Sequence, residues 1–392
     1  MQKSIALIGV GNCGSQVADL AERKYPELMD CVYINTSASD LAMVKGQVKF
    51  KIGDDNEEFD DVEGTGKNRL KMKMYLREEI DKILTDETFC SLISKKKYVF
   101  IIVSAAGGTG SGSGPALLKT LKTCFPDVNF ILVVVLPVMT STGGEFGNTE
   151  EFLKELYSKL DDDTTYMMYD NDQRADLPNT QRLVEVNEAI VEDIRVLSGV
   201  DCFPTPYDSI DAADFESIIT TPGRLLVTRI KKGITEKILE DTDIDDIIIK
   251  AIKKSCHAET DRNKRVLRWG IITHFTEEVH KLYNSSLEKL RDFIGTPIEG
   301  FNHLAVNEQS ESLNFLYLIA SGLSPINDKV IKIQERAKEL KEAKEAAEKA
   351  AKYQIDTNNM SYDITAQRQK EERVRKASET VRPRSIIDEF ID

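Results

Sequence analysis

Ser104-Ala105-Ala106-Gly107-Gly108-Thr109-Gly110-Ser111-Gly112-Ser113-Gly114-Pro115 is the stretch that decides how this chain folds. Directly before it lies Tyr98–Ser104 (YVFIIVS), a continuous apolar run rich in β-branched residues. Such a run is expected of a strand covered on both faces. Directly after it, Pro115–Thr123 reads as an apolar helix, with proline suited to the first turn. Between the two, Ala106–Gly112 packs four glycines and two hydroxyls into seven residues. Glycines let backbone N–H groups close on an anion, and a following helix start favours negative charge. A flexible linker would not sit between a buried strand and an apolar helix. No GxxxxGK[ST] occurs in the chain, so this is not a Walker-type loop.

A second glycine segment lies upstream. Gly9-Val10-Gly11-Asn12-Cys13-Gly14 follows the short apolar strand Ser4–Val10 and opens a helix through about Lys24. It satisfies GxGxxG, which suits a dinucleotide enzyme as well as a mononucleotide one. Two glycine segments on two strands of one sheet imply one polyphosphate held from two sides. Further strands are expected at Cys31–Asn35, Asn129–Leu136 and Thr164–Tyr169, with a helix at Arg69–Leu84 and an acidic loop at Asp54–Asp61. Strands alternating with helices of this length predict an α/β fold with a doubly wound parallel sheet.

The second half reads differently. Gln181–Ser198 is a helix on its period of three and four, ending before the prolines of Cys202–Pro206. A smaller α+β unit is then expected: strands at Leu225–Ile230, Trp269–His274, Gly300–Val306 and Asn314–Ile319, helices at Glu236–Lys254 and Glu277–Ile294. A long helix over Asp328–Lys352 carries a heptad-like pattern, Val330, Ile333, Ala337, Leu340, Ala347 and Ala351, interrupted by Lys344; it is expected to pack on this second unit, the alternative being a coiled-coil partner site. Beyond Tyr353 the chain is polar: a basic stretch from Arg368 to Arg384, then the acidic, apolar Ile386–Asp392 (IIDEFID).

The 392 residues carry a formal net charge of −14, which disfavours unspecific nucleic-acid binding by the bulk surface. Six cysteines without CxxC spacing read as reduced thiols of a cytoplasmic protein. Four histidines form no metal-spaced cluster, and no residue is assigned as a metal ligand. The longest apolar runs are far shorter than a membrane span. The rival reading is an NAD-dependent oxidoreductase using Gly9–Gly14, with Asp30 as its ribose acid; it leaves Ala106–Gly112 without a purpose.

With these segments in place, the chain resembles the tubulin/FtsZ superfamily of GTPases, and within it the plasmid- and phage-type TubZ branch. GNCGSQ at Gly11–Gln16 resembles the first phosphate loop of tubulin. AGGTGSG at Ala106–Gly112 resembles the tubulin and FtsZ signature loop, and Glu63–Lys67 (EGTGK) a third loop. The resemblance spans roughly residues 1–350. It implies a GTP-binding domain over residues 1–180, a bridging helix over 181–199, an α+β activation domain over 200–326, a C-terminal helix over 327–352 and a tail over 353–392. It implies bound GTP or GDP with Mg²⁺. Gly11, Asn12, Cys13 and Gly14 would contact the α- and β-phosphates. Asn35, Thr36 and Ser39 would lie near phosphate and Mg²⁺, and Gly64, Thr65, Gly66 and Lys67 near the γ-phosphate. Gly107, Gly108, Thr109, Gly110, Ser111 and Gly112 would hold the β/γ end. Glu145 falls in the ribose segment, and Asn171 and Asn187 where guanine is read. The catalytic carboxylates would be Asp211 and Asp214, brought over the nucleotide of the next subunit by head-to-tail stacking; Ser209 departs from the family's Asn there. By its own chemistry an acidic pair at that point is a helix cap. The resemblance further implies filaments that move plasmid or phage DNA through a DNA-binding adaptor on the tail, or else cell division or phage positioning. No membrane partner is expected.

Overall fold

The computed structural model describes residues 3–53, 64–159, 164–202, 205, 208–231, 234–260, 264–283, 286–307 and 314–355. The acidic loop Asp54–Asp61, Glu63, both prolines of 203–207 and nearly all of the tail lie outside the described residues. In chain order the first half runs β1 (Ile5–Val10), α1 (Gly11–Lys24), β2 (Met29–Asn35), α2 (Ala38–Met43), β3 (Val48–Lys51), α3 (Arg69–Leu84), α4 (Glu87–Ile93), β4 (Tyr98–Ser104), α5 (Thr109–Cys124), β5 (Asn129–Leu136), α6 (Gly143–Lys159), β6 (Thr165–Asp170) and α7 (Asn179–Leu197). The second half adds α8 (Ala212–Thr220), β7 (Gly223–Ile230), α9 (Glu236–Asp241), α10 (Ile244–Lys254), β8 (Arg268–Thr276), α11 (Glu277–Leu282), α12 (Glu288–Ile294), β9 (Glu299–Asn307), β10 (Phe315–Leu323) and α13 (Asn327–Ile355).

β1 to β6 form a parallel sheet in the order β3-β2-β1-β4-β5-β6. The sheet then continues into the second half as β7-β10-β8-β9. The joint is short: β6 and β7 pair only at Thr165 with Gly223 and Tyr166 with Arg224. β10 is antiparallel to both β7 and β8. Alternation along each strand divides the apolar side chains between two faces. In β1, Ile5 and Leu7 join one core while Ala6 and Ile8 join the other. In β10, Phe315, Tyr317 and Ile319 face the core under α7 and α8, while Leu316, Leu318 and Ala320 face that under α10 and α12. Each fully buried Leu or Ile contributes about 1.5–3 kcal/mol, so the central strands fix the register.

α7 ties the halves together through charge as well as packing. Asp193, buried on α7, accepts from Tyr169 Oη of β6 (2.8 Å) and Arg229 Nε of β7 (2.5 Å), with His257 Nε2 at 3.0 Å. The preceding residue, Glu192, meets Lys24 at the end of α1 (2.8 Å) and Lys231 beyond β7 (2.8 Å).

Four expectations change. The stretch 236–254 is two helices, because the Asp243 side chain accepts from Asp245 N and starts α10 afresh. The stretch 277–294 is likewise two helices, α11 and α12. α5 starts at Thr109, so Pro115 is inside the helix and not in its first turn. Finally, α13 packs on α6 of the first half rather than on the second unit: Ile333 and Ala337 are buried in the core that holds Phe146, Phe152 and Leu153 of α6. From Lys341 to Ala350 the helix is exposed all round.

Candidate nucleotide-binding site

The carboxyl ends of β1, β2 and β4 open onto one cleft of about 550 Å³. Its walls are Val10 to Cys13, Asn35 to Ser37 with Ser39 and Asp40, Gly64, Thr65 and Lys67, then Ser104, Ala106 to Gly110, and Glu145. Five separated pieces of chain thus converge where an open α/β sheet binds ligands.

Helix ends give the cleft its polarity. α1 and α5 begin in its wall, at Gly11 and Thr109, and neither has a side-chain cap. By contrast α2, α3, α4, α8, α9, α10 and α11 are capped by Ser37, Asn68, Asp86, Asp211, Thr235, Asp243 and Thr276. α7 and α12 also lack a cap, and neither opens here. The first N–H groups of α1 and α5 therefore keep their donors for an anion in the cleft. Gly11 sits at φ +70°, a left-handed value that favours glycine. A Cβ on Gly107 would meet nothing within 4 Å, so that face is open for a ligand.

The remaining walls are cross-tied. Thr36 Oγ1 lies 3.0 Å from Thr109 Oγ1. Asn35 accepts from Thr36 N (2.8 Å) and donates to Asp40 (3.1 Å). Lys67 Nζ pairs with Glu145 (2.9 Å), which also accepts from Thr142 N and Oγ1. Burial alone would raise the Glu145 carboxyl, but the hydrogen bonds from Lys67 and Thr142 outweigh it and hold it below its ordinary range. Burial pushes the Cys13 thiol up to about 12, so no thiolate opposes a phosphate there.

Of the residues expected from the sequence, Gly14, Gly66, Ser111, Gly112, Asn171 and Asn187 do not line the cleft. Gly14 lies behind it: a Cβ would sit 2.2 Å from Ile102 O. Ser111 is buried, its hydroxyl donating to Gly107 O. Gly112 packs beneath α3, and Gly66 is exposed. Asn171 follows β6 and donates to Leu136 O (3.0 Å). Asn187 is half-buried on α7. Asp211 and Asp214 are at the start of α8 and line no part of the cleft; Asp211 accepts from Ala213 N and Asp214 N, both at 2.8 Å. Sequence reading missed Ser37 and Asp40, each next to an expected residue, and Ser104 at the end of β4. Asp30, the rival's ribose acid, is the second residue of β2 and pairs with Lys3 and Lys96 at the amino end of the sheet, away from the cleft.

Behind the glycine segment lies a buried charge cluster. Pro115 has no N–H to give the Ser111 carbonyl one turn back. Arg69 supplies it, from Nε at 3.2 Å and Nη2 at 2.8 Å. The guanidinium, 2% exposed, also pairs with Glu155 (2.7 Å) and Glu151 (2.9 Å).

Compared with known proteins, residues 4–178 match the Tubulin/FtsZ family, GTPase domain. Over that stretch, a little under half of the chain, the protein is similar to a Tubulin/FtsZ family GTPase domain. The tubulin-like protein CetZ of Methanothrix thermoacetophila is 26% identical over 152 residues, 34% of this chain and only 39% of that protein's length. The fold likeness reaches further. The TubZ of Clostridium botulinum phage c-st superposes with a TM-score of 0.68 at 19% identity, over 88% of this chain and all of that one (100%). A helical two-stranded filament of TubZ-Bt superposes at 0.65 with 16% identity, over 92% and 94%. The match of residues 4–178 to the Tubulin/FtsZ family leaves the oxidoreductase reading without support. All six cysteines are unpaired. Among the described residues no group of three metal-ligating side chains occurs, and no helix is long and apolar enough to cross a membrane.

Proposed function

We propose that the chain binds GTP in the cleft and hydrolyses it when a second copy stacks head to tail. The observation that carries the binding half is the pair of uncapped helix starts, α1 and α5, aimed into one cleft of a Tubulin/FtsZ family GTPase domain. On this reading residues 1–180 bind nucleotide, 181–199 bridge, and 200–326 present the activating face to the next subunit. The preference for guanine rests on the resemblance alone, through Asn171 and Asn187; Asn171 lies outside the cleft walls, its amide nitrogen donating to Leu136 O. Mg²⁺ would be held largely by phosphate oxygens and water, and Thr36, Thr109 and Asp40 of the cleft wall could supply further oxygen atoms.

The chain's own carboxylates in the cleft, Asp40 and Glu145, are already engaged, by Asn35 and Lys67. Asp211 and Asp214 are on another surface, so hydrolysis on this reading needs a neighbour. There they would orient the attacking water while the helix starts stabilise charge on the transferred group. A head-to-tail contact of this kind builds open filaments. Because Asp211 caps α8, the decisive variant is Asp211→Asn with Asp214→Asn, which keeps an oxygen acceptor at the cap. It should bind GTP and polymerise by light scattering, with phosphate release at least ~100-fold slower, a typical loss on removing catalytic groups. Turnover at the wild-type rate would sink the trans-site.

We further propose a role in moving plasmid or phage DNA, cytoplasmic in setting, with the tail docking a DNA-binding adaptor. The support is the resemblance to TubZ and the basic-then-acidic tail sequence. Truncation at Gln367 should spare polymerisation and abolish adaptor pull-down.

A further inference from the structure

α6 carries a polar stripe, Glu145, Asn148, Glu151 and Glu155, at helical spacings of three, three and four. Every member is bonded to the segment Lys67–Lys73. Glu145 takes the Lys67 ammonium, Glu151 and Glu155 take Arg69, and Glu155 also takes Lys73. Asn148 differs, since it touches backbone only, and on both phosphate segments at once. Its Nδ2 donates to Lys67 O (2.9 Å), Ala106 O (3.1 Å) and Gly107 O (3.4 Å). Three carbonyl oxygens aimed at one spot repel each other unless a donor lies between them. The carboxamide has two N–H groups, so one is shared.

The segment being held is not relaxed. Gly64, Gly66 and Lys67 have φ values of +90°, +57° and +63°. Lys67 is a side-chain-bearing residue in the left-handed region, which persists only where surroundings enforce it. The fit against the glycine segment is close: a Cβ on Gly108 would sit 2.1 Å from Thr65 Oγ1 and 2.7 Å from Lys67 Cα. Asparagine is also a poor helix former, so helix propensity does not explain its place inside α6.

We propose that Asn148 is a positioning residue that locks the Lys67 segment against Ala106–Gly107 and so sets the preference for a triphosphate over a diphosphate. It acts through the backbone of both segments and does not touch the nucleotide. The inference rests on the proposed reading of the cleft as the GTP site. On that reading the α- and β-phosphates would face the α1 helix start, which Asn148 does not touch. The β/γ end would meet the Gly64–Lys67 and Ala106–Gly112 segments, which Asn148 ties together.

The test uses the full chain below its assembly concentration, with Asn148→Asp and the milder Asn148→Ala. Asn148→Asp keeps the shape but puts an acceptor against three acceptors. Fluorescent GDP and a fluorescent non-hydrolysable GTP analogue are titrated onto each. The expected result is an affinity about tenfold weaker for the triphosphate and within about twofold for GDP, a size in keeping with a lost charge-neutral hydrogen bond set. Equal weakening of both nucleotides, or no change in either, overturns the proposal. Hydrogen exchange at Thr65–Asn68, measured without nucleotide, should be about tenfold faster in Asn148→Ala; unchanged protection also overturns it. If the wild-type chain binds neither nucleotide, the GTP reading fails by itself, and the exchange result still decides whether Asn148 holds the segment.

Discussion

Gly9–Gly14 and Ala106–Gly112 share one plan, a buried strand turning into a helix, yet their glycines do different things. In the first segment they let the chain lie against its own sheet. A Cβ on Gly9 would be 2.4 Å from Gly14 O, and one on Gly14 2.2 Å from Ile102 O. In the second they make room for another stretch of chain. Gly108 abuts Thr65 and Lys67, and Gly112 lies where a Cβ would come 2.8 Å from Arg69 O. Gly107 alone faces open space. The first segment is a fixed part of the sheet. The second is one half of a mated pair whose other half is Gly64–Arg69.

The contrast can be attacked from several sides. The largest effect is expected at Arg69, the anchor of the mated pair. Arg69→Met strands the Ser111 carbonyl and leaves Glu155 with Lys73 alone, and should cost about 3 kcal/mol in urea unfolding. A loss under ~1 kcal/mol would mean that the pair stands without it. Next comes Gly14→Ala, which drives a methyl into backbone; a net loss of about 2 kcal/mol is expected after its gain in helix propensity. The same change at Gly107 should leave thermal stability within ~0.5 kcal/mol but weaken nucleotide binding about tenfold, since the methyl enters the cleft. Normal binding by Gly107→Ala would remove that glycine from the phosphate site. The smallest effect concerns the far end of α1. Burial alone would raise Glu192, but hydrogen bonds from Lys231, Lys24 and Tyr25 bring it down to about 2, from an ordinary 4.5. A depressed carboxylate stabilises above its unfolded value and loses that as pH falls through the folded one. Glu192→Gln should therefore be about 1 kcal/mol less stable at pH 7, discounted for solvent screening. The gap should close between pH 4.5 and about 2; a gap constant over that range would exclude the carboxylate as its source.

Much of this was legible where burial leaves a periodic mark. β4 and β5 lie within their expected limits because strands covered on both faces read as unbroken β-branched runs. α3 likewise matches Arg69–Leu84, with Asn68 marking its start. β3, four half-buried residues at the sheet edge, carries too little pattern to show. The start of α5 was hidden for a different reason. Thr109 to Gly114 alternates glycine with hydroxyls, a poor helix by propensity, but tight packing beneath α3 and β4 requires those missing side chains. For α13 the apolar spacing marked an amphipathic helix and was silent on its partner. In the site, the residues flanking expected strands could be read locally. Arg69 and Asn148 could not, because their roles come from contacts 41 residues or more away in sequence. A proline inside the glycine segment was the one visible hint of an acceptor needing an outside donor.

That proline also bears on how the sequence can drift. If Pro115 is replaced first, the new N–H restores the Ser111 bond and lightens what position 69 must do. If Arg69 is replaced first, the Ser111 carbonyl is left bare and Glu155 keeps only Lys73. Two positions far apart in the chain are thus coupled through one carbonyl, and the missing hydrogen on one nitrogen makes the order of any two changes matter.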